Sequence, residues 1–172
     1  MRQSGICYAH FVCYPSTHGD MVMVHFACYD SPFGQFEIGH EDGYVVQIRR
    51  CCNRDSHCAS TASDLASMQL QEFFEGTRQI FDFPMMLKGT SFQKAVWNCL
   101  QEIPYGEVRT YGQIAAKIGK PKASRAVGMA CNKNPLWIVV PCHRVIGSNQ
   151  KLTGYAGGLD LKRKLLQLEQ MK

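Results

Sequence analysis

TYGQIAAKIGKPKASRAVGMACN, residues 110–132, is the stretch on which the fold of this chain turns. Thr110 is a residue type that caps helix N-termini, and Gln113 three positions later completes a capping-box pattern. The helix so opened runs through Ile118 and is stopped by Gly119. Pro121 suits the first position of a second helix running to about Asn132. Two short helices joined by a tight Gly-containing turn form a helix-turn-helix. The second helix carries Ala123, Ser124, Ala126, Gly128 and Ala130, all small, with Arg125 projecting among them. Such a face suits close approach to DNA or tight packing against another helix, and the stretch alone leaves both open.

Toward the N-terminus the same capping signature recurs at Thr90 and Gln93. Phe92, Val96, Leu100 and Ile103 then share one helical face, until Pro104-Tyr105-Gly106 ends it. Leu65, Met68, Leu70, Phe73 and Phe74 predict another helix stopping at Gly76. Further upstream the period changes to two. HFACYDSPFGQFEIG (25–39) holds two β-prone runs around the turn-forming Ser31-Pro32-Phe33-Gly34, and Gly43 precedes a third, YVVQIRR. A hairpin or meander over about 22–50 is expected, with 51–63 as loop and 81–87 extended. Residues 1–20 show no clear period and are read as an N-terminal extension.

Apolar residues make up 45% of the 172, enough for a buried core. No apolar run approaches the roughly 18 residues of a membrane span. The opening MRQSGICYAHFVCYP lacks the apolar block of a signal peptide. Nine cysteines, an odd number, include the adjacent Cys51-Cys52, so the thiols are read as reduced. A cytoplasmic setting is expected, or a nuclear one in a eukaryote. Charge is divided sharply. Residues 1–87 carry five Lys/Arg against ten Asp/Glu, whereas 88–172 carry fourteen against four. The basic half points to a polyanionic partner, and the contrast to two domains.

On the C-terminal side lies NPLWIVVPCHRVIG (134–147). WIVV predicts a short buried strand, interrupted by Pro141 directly before Cys142-His143-Arg144-Val145. A cysteine becomes a good nucleophile when its pKa falls, and a neighbouring imidazole or guanidinium can lower it. Buried structural cysteines are also common, so composition leaves Cys142 as nucleophile or core.

PCHRV (141–145) resembles the active-site motif of the O6-alkylguanine-DNA alkyltransferases. IPYGEVRTYGQIA (103–115), SRAVGMACNKNP (124–135), TGYAGGLDLK (153–162) and LLQLE (165–169) resemble the same family in order and spacing. The resemblance covers 90–172; upstream it rests chiefly on YDSPFG (29–34). It implies direct, stoichiometric transfer of an alkyl group from O6 of guanine, and O4 of thymine, to Cys142, which is consumed. His143, through a water, would take the thiol proton, and Glu169 would orient the imidazole, as a carboxylate does in a hydrolase triad. Asn134 would tie the helix-turn-helix to the active-site segment. Tyr111 would donate to guanine N3 as the base leaves. The carbonyls of Cys142 and Val145 would accept from the exocyclic amine, and the amide of Ala156 would hold O6. Tyr155, Gly157 and Gly158 would form the pocket wall, and Cys131 would line it. Many relatives have Ser where this chain has Ala156, which removes any hydroxyl contribution. Trp137 is expected in the core.

The resemblance also implies duplex DNA bound through the minor groove, with the damaged base taken out of the stack. Arg125 would fill the vacated space. Ala123, Ser124 and Gly128 would admit the helix, and Lys122, Lys133 and Arg144 would contact phosphates. A monomer is expected, with no membrane, no cofactor and no metal. Cys7, His10 and Cys13, and Cys51, Cys52, His57 and Cys58, have ligand-like spacing. Yet Val22 and Glu41 stand where zinc-holding relatives need cysteines. Competing classes are a non-catalytic O6-alkylguanine binder, which would lack Cys142, and a cysteine hydrolase, which has no use for Arg125. The expected fold is α+β. A small antiparallel sheet with a helix (21–86) precedes a mostly helical, winged-helix-like domain (87–172).

Overall fold

The computed structural model describes residues 11–15, 21–51 and 58–170. The chain divides into two compact units, Met1–Met86 and Leu87–Lys172.

In the first unit, strands β1 (Phe11–Pro15), β2 (Met21–Tyr29), β3 (Phe36–Glu41) and β4 (Tyr44–Arg50) form one antiparallel sheet in that order. The hairpin between β3 and β4 turns on Asp42-Gly43, both at positive φ (47° and 80°), a geometry that matches the strand twist and favours this pair. Part of the segment expected as an extension is thus a strand: Phe11 pairs with His25 and Pro15 with Met21. Pairing across a sheet draws on backbone groups and leaves little trace in so short a segment. The remainder of 1–20 lies outside the described residues. Helix α1 (Thr61–Phe74) starts four residues before the expected Leu65, because Ser60 and Ser63 form a reciprocal cap. It packs on β3 and β4, with Phe74 against Phe36 at 5.8 Å between rings. The 81–87 stretch is extended, Met85 bridging to Val45.

The second unit is built on α2 (Ser91–Gln101), α3 (Tyr111–Lys117), α4 (Ser124–Asn132) and α5 (Leu159–Gln170). Thr90 and Thr110 cap α2 and α3 as reciprocal boxes with Gln93 and Gln113. Val96, Trp97, Leu100, Ile114, Ala115, Val127 and Ala130 are buried where these helices meet. Trp97 Nε1 donates to the Ala130 carbonyl at 2.9 Å, fixing α2 to α4. Helix α4 begins at Ser124, not at Pro121. The Ala123 amide donates to the Lys120 carbonyl, so Pro121 sits second in a turn, where its fixed φ is equally suitable.

WIVV is not a strand. Ile138 takes φ 75°, a conformation a β-branched residue rarely adopts, and the Val140 amide donates to the Leu136 carbonyl. The apolar run is therefore a buried turn. Its place in a sheet is taken by a short parallel pair, β5 (Arg109–Thr110) with β6 (Val145–Ile146). β6 follows directly on a 3-10 turn at Cys142–Arg144. Leu161, Leu165 and Leu166 bury one face of α5, and α5 contacts that 3-10 turn. Among the described residues no helix is long and apolar enough to cross a membrane.

Candidate active site

Cys142 opens the 3-10 turn, its amide donating to Val140 and that of Arg144 to Pro141. Asn134, buried just beyond α4, holds this turn in place. Its Nδ2 donates to the Val140 carbonyl (2.8 Å) and to Cys142 Sγ (3.2 Å), while its Oδ1 accepts from the Leu136 amide (3.0 Å). One side chain thus braces the strained turn and touches the sulfur. Burial pushes the Cys142 thiol up to about 11, against the pull of the Asn134 bond and the Lys162 charge. Burial outweighs both. The neighbouring Arg144 is neutralised by Glu169, and desolvation disfavours a bare thiolate.

Behind the turn, the α5 residue Glu169 gathers buried donors. Its Oε1 lies 2.7 Å from His143 Nε2, Arg144 approaches both oxygens at 3.0–3.1 Å, and the Gly106 amide donates to Oε2 at 3.1 Å. Burial raises the Glu169 carboxyl, but His143 and Arg144 outweigh it and hold it below the usual range. Burial lowers His143, more than the Glu169 bond raises it, so a neutral imidazole faces an ionised carboxylate. His143 Nδ1 is buried without a protein hydrogen-bond partner.

A cavity of about 510 Å³ opens onto Cys142. α3 contributes Tyr111; α4 and its end contribute Arg125, Gly128, Met129, Cys131, Asn132 and Lys133. The opposite wall is Thr153, Gly154 and Tyr155. The Tyr111 hydroxyl donates to the Thr153 carbonyl at 3.1 Å, and burial keeps it above the ordinary tyrosine range, hence a proton donor. Burial pushes Cys131 up to about 12. The Tyr155 ring leans on Trp137 (6.0 Å between rings), and a Cβ at Gly157 would come within 2.8–2.9 Å of Tyr155, Trp137 and Leu161. Gly157 is therefore required by close approach. A Cβ at Gly128 would only touch the Tyr111 ring at 3.7 Å, so packing does not demand glycine there.

Cys142, Asn134, His143 and Glu169 are thus brought together, with Tyr111, Arg125, Gly128, Cys131, Lys133 and Tyr155 around the opening. Lys122 is exposed and Ala123 and Ser124 half-buried at the start of α4. Val145, Ala156 and Gly157 do not line the cavity: Val145 is buried, and Ala156 is exposed beyond Tyr155. Arg144 corrects an expectation. It is 6% exposed, bound to Glu169 and to the Ile103 carbonyl (2.6 Å), and cannot reach a phosphate. Two residues escaped sequence reasoning. Met129, 67% exposed, sits at the cavity rim one helical turn after Arg125, a spacing that places it on the same face. Lys162 is wholly buried, and nothing in its local sequence marks it out from a solvated lysine. Among the described residues no three His, Cys, Asp or Glu side chains converge as metal ligands. Cys7, His10, Cys52 and His57 lie outside those residues, and nothing is described of the Cys13 side chain.

Comparison with known proteins converges on one chemistry. The family model described as "6-O-methylguanine DNA methyltransferase, DNA binding domain" matches residues 91–171. A methylated-DNA–protein-cysteine methyltransferase of Methanosarcina acetivorans is 64% identical over 104 residues, 60% of this chain and 67% of that protein. The match to two other Methanosarcina relatives covers 66% of their length, about two thirds. Among solved structures, Mycobacterium tuberculosis O6-methylguanine methyltransferase is similar over 86% of this chain and 93% of its own, at 44% identity and a TM-score of 0.78. The M. tuberculosis protein OGT, solved in complex with DNA, is similar at 43% identity and a TM-score of 0.77, over 84% of this chain and 92% of that one.

Proposed function

This chain belongs to the 6-O-methylguanine DNA methyltransferase family, and on that premise we propose that it repairs DNA by moving alkyl groups from O6 of guanine, and O4 of thymine, onto Cys142. The observation that carries the proposal is the placement of the Cys142 thiol. It lines a cavity of about 510 Å³, bonded to Asn134 and followed in the same turn by the buried His143, which pairs with Glu169 of α5.

The thiol rests protonated, so its proton must leave as the alkyl carbon is attacked. His143 is the base. Glu169 occupies Nε2, which leaves Nδ1 to receive the proton through a water, and the ionised Glu169 stabilises the imidazolium that results. The sulfur lone pair forms the new S–C bond while the C–O6 bond breaks and its electrons pass into the guanine ring. Tyr111, protonated at the cavity wall, donates to N3 and quenches the developing charge. The products are guanine and a thioether. Among the described residues no group around Cys142 is equipped to cleave a thioether, so each molecule acts once.

To reach O6 the base is flipped from the duplex. The small face of Ala123, Ser124 and Gly128 favours minor-groove entry. Arg125 and Met129 at the cavity rim supply a charged and an apolar plug for the gap, which offsets an unstacking cost of a few kcal/mol. Exposed Lys122 and Lys133 meet phosphates, so affinity falls with salt. The protein acts as a monomer on duplex DNA.

The test is intact-protein mass spectrometry and peptide mapping after incubation with a duplex carrying one O6-methylguanine. One methyl on Cys142, at most one per molecule and absent in Cys142→Ala, is the expected result. Tight binding to the lesion without a mass change would replace alkyl transfer by damage recognition alone.

A further inference from the structure

Cys28 and Cys51 of the first unit are half-buried, reduced thiols, and Cys51 Sγ donates to Cys28 Sγ at 3.5 Å. Sheet register brings them together. Cys28 of β2 pairs with Glu37 of β3, and Glu37 pairs in turn with Arg49 of β4. The Cys51 amide donates to the Gln35 carbonyl at 3.0 Å, carrying the pairing of β4 past Arg50. Cys51 therefore follows Arg49 on the same face of the sheet as Cys28. The two thiols come from strands that flank β3, and they meet above it. Phe26 of β2 and Arg49 of β4 do the same one step along. The guanidinium lies 5.8 Å from the ring centroid, and the ring covers Gly39 of β3, where a Cβ would come within 2.7 Å of it.

We propose that Cys28 and Cys51 form a two-coordinate site for a soft monovalent cation, copper(I). Thiolates are the ligands that such a cation selects. A disulfide does not fit the same geometry. Strands two apart lie about 9.5 Å from each other, whereas a disulfide spans Cα atoms no more than about 6.8 Å apart. A cation between the sulfurs lengthens the bridge by two metal–sulfur bonds, and side-chain rotation alone makes room for it. Harder cations are disfavoured. Glu37, the carboxylate across from Cys28, is taken by Arg49 at 2.7 Å. Structural zinc needs four ligands, and no third ligand side chain converges here among the described residues. Binding exchanges two S–H protons, which leave for solvent, for one cation, and neither sulfur is oxidised. Cys28 lies outside both Cys- and His-rich segments of the sequence, because register across three strands, not spacing, makes the pair.

The test is anaerobic titration of the full chain with copper(I) against a chromogenic copper(I) chelator, followed by N-ethylmaleimide labelling and peptide mapping. The parent and Cys58→Ser are expected to hold one equivalent against the chelator, and Cys28→Ser and Cys51→Ser to lose it. In the loaded parent, Cys28 and Cys51 should escape labelling while Cys58 is labelled as in the copper-free protein. No retained equivalent, retention unchanged in either serine variant, or protection confined to other cysteines overturns the site. If a serine variant does not fold, the labelling pattern of the parent decides alone. Oxidised glutathione supplies a further check: ready closure of a Cys28–Cys51 disulfide in the parent overturns the span across β3 on which the proposal rests. None of these readouts uses alkylated DNA, so the outcome is independent of transfer to Cys142.

Discussion

Replacing Glu169 by Gln keeps the side chain's shape and removes its charge. Glu169 is 3% exposed and accepts from His143, from Arg144 in three contacts, and from the Gly106 amide. The Arg144 guanidinium is itself buried and would lose the Glu169 counter-charge while one Gln nitrogen turned toward other donors. Breaking a buried ion pair from one side costs about 3–5 kcal/mol. In a unit of the size of Leu87–Lys172, that corresponds to a fall of at least about 10 °C in Tm. The variant also has a pH signature. A carboxyl held below its unfolded value contributes stability that is full above that value, about pH 4.3, and lost as pH falls through the folded value. His143, lowered by burial, acts in the same direction: its contribution is full above its unfolded value, about pH 6.5, and is lost as acid charges the ring. Thermal unfolding of the parent from pH 8 to pH 3 should therefore decline below about pH 6.5 and steepen below about pH 4.3. Glu169→Gln should lose the steeper limb, and its methyl transfer at pH 7 should slow by about 100-fold. A variant within about 1 kcal/mol of the parent, with both limbs intact, would refute the account of this buried cluster.

Arg125→Ala should weaken repair of duplex DNA far more than reaction with free O6-benzylguanine, and equal losses on the two substrates would remove the plug assignment. Tyr111→Phe should slow transfer by about tenfold or more and leave Tm nearly unchanged, because Lys162 still serves the Thr153 carbonyl; an unchanged rate in single-turnover kinetics defeats its donor role. Gly157→Ala forces contacts of 2.8–2.9 Å on Tyr155, Trp137 and Leu161 and should cost about 1–3 kcal/mol, checked by urea unfolding. With the thiol near 11, iodoacetamide should label Cys142 slowly at pH 7 and increasingly up to about that pH; a plateau reached near pH 8 would contradict the burial argument.

What could be read in the sequence was local. The Thr90–Gln93 and Thr110–Gln113 caps are written in side chains three residues apart, and both helices begin where they say. The Ser60–Ser63 cap of α1 uses Ser where the usual signature has Glu or Gln, and so went unread. WIVV has every local mark of a strand. Its real conformation is imposed from outside, by Asn134 bonds to Leu136 and Val140 that hold Ile138 at positive φ. Arg144 misled for the same reason, and the burial of Lys162 went unread. A basic side chain suggests solvent or phosphate until tertiary structure supplies Glu169, 25 residues away, or the Val145 carbonyl, 17 away. The cysteine, histidine and glutamate of the site were found through motif resemblance; spacing alone placed none of them together.

The high resting pKa of Cys142 bears on how long the protein keeps. At pH 7 a thiol raised this way by burial is held largely protonated. Peroxides and stray electrophiles attack the thiolate, so a sulfur held as the thiol meets them less readily. A nucleophile that can be spent only once gains nothing from constant readiness. Burial works here as a preservative, storing the reagent intact until a damaged base arrives beside it.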